Sequence, residues 1–503
     1  MIRLLSRCAV PLSLLLGGCD LGPDYLRPEV EMPVQFRATE ATGAEAWPSG
    51  DWWRGFNSPD LNALIDQARA QNFDITAAIA RIRQADAQVR ITGAAMLPNV
   101  TTTAGASWQQ VGATRGNVSG ATRGGSTTST IDVHNYSVGP LNVAYEVDFW
   151  GKNRAAEQSA ASSAVFSRFD QEVVALTVVT NVANAWFTAL ALADRLVVAQ
   201  RNLADAEQTM AVIRGRLDAG TASALDVAQQ ESLVAGERAV IPNFRSELEQ
   251  ELIGLGILVG RPPEAITVRP GSLASLSLPP VVPGLPSAVL QRRPDVAEAE
   301  AQLVAANFNI KVARAAFFPS IQLTGSYGFA NAALSTLFTP GGTLVSLAAG
   351  LTQPLFDAGT LRGQLEQAKG RYDELLADYR KSVVQAFTDV EDALTAWRFT
   401  TEQEALQRQA VATAQRAADI ARAQMQAGTV DVTTVLQVET TLFGAADTLA
   451  QVQLARFQAL LSLYKALGGG WIAPSGPIED QFPGLRPGLI PGGIALPVGG
   501  NVR

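Results

Sequence analysis

The chain is short of the residues that most chemistry needs. Of its 503 residues two are cysteine, Cys8 and Cys19, and one is histidine, His134. A disulfide framework, a His-based triad and a His/Cys metal cluster all require more than one chain can assemble from that set. Paired carboxylates are plentiful, but they fall on long polar helix faces where solvation accounts for them. The sequence therefore points away from an enzyme, and no cofactor or metal is expected. Lys and Arg form no block and the net charge is −8, so nothing offers a nucleic-acid backbone a counterion-releasing surface. Past residue 19, no run of about eighteen uncharged apolar residues is found. The most apolar stretch, 173–198, is interrupted by Asn181, Asn184, Asp194 and Arg195. No transmembrane helix is expected, and entry into a bilayer falls to strands.

What is present begins with a leader. Arg3 and Arg7, the apolar run Leu12 to Leu16 and the small residues Gly17 and Gly18 read as a signal peptide over 1–18. Leu16-Gly17-Gly18-Cys19 resembles a bacterial lipobox, which makes Cys19 the lipidated first residue of the mature chain. Cys8 is lost with the leader, so an exported protein is left with no internal disulfide and must be held by packing and assembly.

The mature chain repeats itself. Residues Asp74 to Pro98 match Asp295 to Pro319 at an offset of 221, while Arg216 to Val227 (RLDAGTASALDV) match Gln424 to Val435 (QMQAGTVDVTTV) at an offset of 208. The difference places an insertion in the first copy, where the Gly/Ser/Thr-rich stretch Gly112 to Thr130 reads as a long loop. Each copy opens with a helix that ends before Pro98 or Pro319. A period of two follows: Val100, Thr102, Ala104, Ala106 and Trp108 share a face, then Leu141, Val143, Tyr145, Val147 and Phe149. Ile321, Leu323, Gly325, Tyr327 and Phe329, then Val345, Leu347, Ala349 and Leu351, repeat it. Four strands are predicted, each near the roughly 9–11 residues that cross a bilayer at a tilt.

Beyond Gly151 and Gly359 the period becomes helical, with no proline before Gly220 in the first copy. Such a run reaches on the order of 100 Å at about 1.5 Å per residue, a length for spanning a compartment. Each run closes on Ala-Gly-Thr, where Gly220 and Gly428 can take the left-handed conformation and send a second helix back. Pro242 lies in the first returning helix and is expected to kink it. Four strands cannot seal a barrel, because an open edge in hydrocarbon leaves backbone groups unpaired. The sheet must be shared with other copies. Trp108, Tyr136, Phe149, Trp150, Phe329 and Phe356, near the predicted strand ends, fit an interfacial girdle.

With the lipobox, the duplicated unit and the Ala-Gly-Thr turns together, the chain resembles the outer membrane factor family, in its lipoprotein branch of efflux exit ducts. Cys19 to Pro28 and Asp51 to Ala68 are similar to that branch's N-terminal signatures. The resemblance implies an α+β membrane protein: a homotrimer with a 12-stranded β-barrel, four strands per chain, continued by a long α-helical periplasmic barrel. It divides the chain into 1–18, leader; 19–73, lipid-anchored equatorial segment; 74–260, first repeat; 261–293, equatorial linker; 294–468, second repeat; and 469–503, equatorial segment and loose tail. It implies a periplasmic membrane-fusion adaptor as partner, an inner-membrane resistance-nodulation-division pump reached through it, and outer-membrane lipid. In the family the hairpin tips meet the adaptor through a motif like Arg-Leu-x-x-Gly-Thr, which Arg214, Leu217, Gly220, Thr221 and Ser223 fit; the second tip offers Met425, Gly428, Thr429 and Asp431. Family members that carry acidic rings at the periplasmic constriction have carboxylates where this chain has Thr434 and Gln437, leaving Asp431 as the nearest acid. Asp20, after the lipidated cysteine, departs from outer-membrane sorting in enteric bacteria. The lipoprotein branch implies passive export of small toxic compounds through a tripartite pump; metal-ion efflux and protein secretion share this exit fold, and a non-pore structural lipoprotein of the periplasm is the remaining alternative.

Overall fold

A computed structural model describes residues 22, 25–33, 35–37, 47–114, 128–268, 270–280 and 286–472. Cys19, Asp20 and the Gly/Pro-rich tail beyond residue 472 lie outside the described residues. The two copies of the repeat are laid out in the same order. In the first, α1 (Pro59–Gln71) and α2 (Phe73–Gly93) lead into β1 (Asn99–Thr114), β2 (Thr128–Val147), the long helix α3 (Lys152–Asp218) and its return α4 (Ala224–Val259). In the second, α5 (Pro286–Leu290) and α6 (Pro294–Ala315) precede β3 (Ser320–Asn331), β4 (Thr343–Thr352), the long helix α7 (Thr360–Gln426) and its return α8 (Val432–Ala466). Both long helices contain 67 residues, about 100 Å of helix each.

The four strands form one antiparallel sheet in chain order, β1-β2-β3-β4. Its register joins the alternating faces read from the sequence. Val143 pairs with Val100 on one side and with Gly325 on the other, and Gly325 pairs with Leu347. One face therefore carries an unbroken apolar band that crosses all four strands, and Leu347, Val345, Leu351 and Tyr327 within it are exposed. Strand β4 is exposed along its whole length. Among the described residues, neither edge of the sheet, β1 or β4, is joined by a further strand.

Two expectations about the first hairpin need correction. Strand β1 has 16 residues and β2 has 20, beyond the length expected for a crossing. The ladder runs on into the Gly/Ser/Thr stretch taken for a loop, with Gly112 paired to Thr130 and Thr114 to Thr128. Small polar side chains hide a period of two, but their backbones pair as well as any other. Residues 115–127 lie outside the described residues. The extension also moves Trp108 and Tyr136 away from the strand ends. With Phe329 they make one aromatic level of the sheet, since Tyr136 faces Ala106 and Phe329 faces Val138. At the helical end Phe149 meets Trp150 edge-on with ring centres 4.8 Å apart, Trp150 stacks on Phe318 at 4.8 Å, and Trp150 Nε1 donates to the Pro319 carbonyl at 2.7 Å. Along β2 the two levels are about 40 Å apart, or about 30 Å once a typical barrel tilt is allowed for.

At the start of each long helix a glycine stands where a capping side chain would be, Gly151 at φ 73° and Gly359 at φ 86°. A nearby aspartate supplies the missing acceptor. Asp148 takes the N–H groups of Asn153 and Arg154 at 3.0 and 2.8 Å, and Asp357 takes those of Gly359 and Leu361 at 3.0 and 2.7 Å. Pro242 lies inside α4, which continues through it from Ala224 to Val259.

Helix α3 also bears on the transmembrane question. Contrary to the expectation from Asn181, Asn184, Asp194 and Arg195, it holds an 18-residue stretch long and apolar enough, by composition, to cross a membrane. The reason for that stretch is a core. Val178, Val182, Trp186, Phe187 and Leu190 are buried together with Trp52, Trp53 and Phe56 of the short turn Trp52–Phe56, with Leu61 and Ile65 of α1, and with Phe457, Leu460 and Tyr464 of α8. A second core joins Phe36, Val289 and Val296 to Val383, Phe387 and Val390 of α7. The N-terminal segment, α1, the linker and α5 thus lie on one side of the long helices, at mid-length.

The segment before α1 has a direction. A Cβ on Gly22 would stand 2.0 Å from the side chain of Lys311, one turn from the sheet end of α6. Tyr25 and Arg27 reach Glu300 at 3.3 and 2.7 Å, and the Arg37 N–H reaches Glu391 at 2.6 Å. The strand of chain descends from the sheet toward the mid-length cores.

Also on α6 is Glu298, whose carboxyl is pushed up to about 7 by burial, with Asp170 and Asp295 adding repulsion. A carboxyl that holds its proton more tightly when folded contributes stability below its unfolded value, and loses it as pH rises through 7. Glu298→Gln is expected to raise Tm at pH 8 by about 1–3 °C, because partial solvent exposure screens the effect, and to leave Tm unchanged near pH 4. Thermal melts at both pH values check this; an equal shift at both would remove Glu298 as the titrating group.

Candidate functional site

The helix pairs α3–α4 and α7–α8 end in two turns of the same build. Gly220 has φ 71° and Gly428 φ 78°. In the first turn Gly220 N–H donates to the Leu217 carbonyl at 2.9 Å and Thr221 N–H to Arg216 at 2.8 Å; in the second, Gly428 donates to Met425 at 3.0 Å and Thr429 to Gln424 at 2.9 Å. These crossed bonds close the last helical turn, and the positive φ reserves the position for glycine. Helix α4 then starts from a reciprocal cap, Ser223 Oγ accepting from Asp226 N–H and the Asp226 carboxylate from Ser223 N–H. Helix α8 starts from Asp431, whose carboxylate accepts from Thr434 N–H at 2.8 Å. Hydrogen bonds from Thr434, side chain and backbone, hold the Asp431 carboxyl below the usual range.

Most of the expected tip residues are thus brought together at one end of the molecule, 67-residue helices away from the sheet. Arg214, Leu217, Gly220, Thr221, Ser223, Gly428, Thr429 and Asp431 are exposed there. Met425 departs from the pattern. It is 1% exposed, packed with Ile213, Val432 and Val435, and presents only its carbonyl. That carbonyl accepts from Arg216 Nη1 at 2.8 Å, so Arg216 ties the two tips to each other. Arg216 was missed from the sequence although the motif, read literally, begins at it: Arg216-Leu217 precede Gly220-Thr221 by the right spacing. Arg214 instead pairs with Glu231 at 2.9 Å on the exposed side of its own hairpin. Thr434 and Gln437 are exposed on α8.

Above the tips, ion pairs cross between the repeats. Arg422 of α7 reaches Asp205 of α3 at 3.0 Å and Glu439 of α8 at 2.8 Å, and Thr209 Oγ1 donates to the same Glu439 oxygen at 2.7 Å. Arg195 grips Asp447 through two nitrogens at 2.7 and 3.1 Å while lying over the Phe244 ring. Within the second repeat, Glu404 holds Arg408 of its own helix and Arg456 of α8, both at 2.6 Å. Within the chain α3 packs on α4, α7 on α8, and α3 on α8. Helices α4 and α7 are left at the outer edges, with Val240, Ile253 and Ile257 exposed on the one and Val384, Phe399, Leu406 and Ile420 on the other.

A membrane-type sheet open at both edges, set on paired helices about 100 Å long with matched glycine turns, is the geometry of a wall segment. The pattern of the outer membrane efflux protein family matches residues 64–261 and 285–469. The chain belongs to that family. This outer-membrane efflux protein is 40% identical over 471 residues to the pyoverdine export outer membrane protein OpmQ of Pseudomonas aeruginosa, covering 93% of this chain and 97% of the relative. It is 32% identical over 474 residues to the cation efflux system protein CusC of Escherichia coli K12, covering 93% and 99%. The solved outer-membrane channel OprN superposes with a TM-score of 0.83 at 26% identity, over 90% of this chain and 100% of that one. The efflux protein is a channel of the outer membrane that extends into the periplasm.

Proposed function

We propose that this efflux protein works as a homotrimeric exit duct, passively conducting small solutes delivered by an inner-membrane resistance-nodulation-division pump through a periplasmic membrane-fusion adaptor. The observation that carries the reading is the four-stranded sheet, apolar along one face and open at β1 and β4. Three copies joined edge to edge make twelve strands and leave no backbone group unpaired in hydrocarbon. The exposed apolar residues on the outer edges of α4 and α7 give the same join a counterpart in the periplasm. Residues 74–260 and 294–468 form the wall, and 19–73, 261–293 and the segment from 469 wrap its equator. Cys19 carries the lipid. Gly22 sits against Lys311 near the sheet, and three residues of chain span at most about 11 Å, so a lipid on Cys19 is held on the membrane side. Small solutes are favoured over proteins as cargo by the relative named for pyoverdine export.

The two hairpin tips meet the adaptor end to end. Leu217, Gly220, Thr221, Ser223, Gly428 and Thr429 supply the exposed turn surface, and Arg216 fixes the spacing of the tips. Asp431, with Thr434 and Gln437 on the following turns, lines the periplasmic constriction. Asn caps a helix as well as Asp, so Asp431→Asn removes charge without removing the cap. Single-channel recording is expected to show a lower cation preference in that variant; unchanged selectivity would take Asp431 out of the constriction. The duct itself is tested by reconstitution in planar bilayers, where stepwise conductance is expected. A protein that inserts and passes no current would be a structural lipoprotein.

A further inference from the structure

At mid-length the three helices α3, α7 and α8 leave a polar cavity of about 540 Å³ between them. Asn181 and Asn184 come to it from α3, Asp392 from α7, and Gln458, Ser462 and Lys465 from α8. Its position follows from helical geometry. At about 100° per residue, Asn181 and Asn184 point away from Val179, Val182 and Trp186, which are buried under the wrapping segment. On α7 Asp392 stands opposite Val383, Val390 and Leu394, which are buried in the second core with Phe36 and Val289 of the wrap and with Val296 and Leu303 of α6. The cavity therefore opens on the side away from the wrap, which is the lumen side once the wrap is taken as the outer girdle.

The floor is built. Arg293 is buried and held by Asp295 at 2.6 Å and Asp389 at 2.8 Å, with the Ala466 carbonyl at 3.2 Å. Gln458 Nε2 donates to Asn184 Oδ1 at 3.1 Å, which fixes the two amides side by side. The rim is different in kind. Among the described residues, neither the Lys465 ammonium nor the Asp392 carboxylate has an ion-pair or hydrogen-bond partner for its side chain, though both line the one cavity. Charges of opposite sign beside preset amides match a solute that has a carboxylate and several peptide-like groups.

We propose that this cavity is a transit site on the lumen wall for peptide-like, carboxylate-bearing solutes, with Lys465 taking the carboxylate and Asn181, Asn184 and Gln458 the amides. Threefold symmetry sets three such sites around one level of the duct. The proposal rests on the duct reading and adds to it a cargo class and the residue that selects it. Lys465 is also a cation in the last turn of α8, where it complements the helix dipole. That role alone affects stability and not solute binding.

The test uses the full-length protein in detergent and an N-acetylated hexapeptide of Gly, Ser and Asp as probe, with binding read by saturation-transfer NMR. Lys465→Met is expected to weaken binding about two- to fivefold, the range for one partly exposed charge contact. Asp392→Asn is expected to leave binding of this acidic probe equal or stronger. Binding of the probe equally by wild type and Lys465→Met, or not at all by wild type, would overturn the proposal. Planar-bilayer current from the same wild-type preparation separates the two readings: current without Lys465-dependent binding removes the transit site alone, and absence of current removes the duct.

Discussion

Leu347→Arg is expected to stop the protein from reaching its membrane-inserted form. Leu347 lies midway along β4, is 87% exposed, and sits in the apolar band paired through Gly325 to Val143. An arginine on the lipid face near the bilayer midplane costs about 2–4 kcal/mol. In a threefold assembly the cost is met three times in one barrel. The neighbouring Ser346→Arg substitution supplies the control, since Ser346 pairs with Ser326 on the opposite, polar face. Fractionation of cells expressing each variant is expected to find Ser346→Arg in the outer membrane and Leu347→Arg absent from it. Normal insertion of both variants would mean that the band does not face lipid.

Arg422→Met is expected to have the second largest effect, at the periplasmic end. Glu439 is fully buried, and its charge is met by Arg422 and by the Thr209 hydroxyl. Its other oxygen has no partner among the described residues. Removing the arginine leaves a buried carboxylate without a countercharge, which costs about 3–5 kcal/mol, whereas replacing both partners by apolar residues is often neutral or better. On α8 Glu439 is flanked along its own face by Val435 and Leu442, both buried, so Glu439→Leu in the Arg422→Met background has apolar neighbours to join. The single variant is expected to lower Tm by more than 5 °C and to raise single-channel conductance as the α7–α8 hairpin loosens from α3. The double variant is expected to recover the Tm. Equal melting of wild type and Arg422→Met would show that the pair does not hold the hairpins.

Much of this architecture was legible because it is periodic. The 208-residue repeat of the Ala-Gly-Thr turns carries over to two turns with the same crossed hydrogen bonds, since a left-handed glycine is a local requirement. The apolar alternation in Val143, Gly325 and Leu347 became one face of one sheet because a period of two has only two registers to choose from. The full length of β1 and β2 was hidden where glycine, serine and threonine erase the contrast between faces. Burial of Met425 could not be read locally, because its neighbours Ile213 and Val435 belong to other helices. The same holds for Arg422, whose partner Asp205 is 217 residues away in sequence. Arg216 was within reach: the motif spacing names it, and its contact with the Met425 carbonyl explains why an arginine belongs there. The apolar stretch in α3 was underrated for the opposite reason, because Asn181 and Asn184 on its polar side conceal how apolar the other side is.

The most direct measurement is the mass of the protein in detergent micelles, by light scattering with the detergent contribution subtracted or by native mass spectrometry. A sheet that ends at β1 on one side and at β4 on the other must close on further copies, and twelve strands require three. A particle of three chains is the expected result. A monodisperse single chain that retains its strand content and conducts ions would contradict it, because four strands would then be sealing a pore unaided.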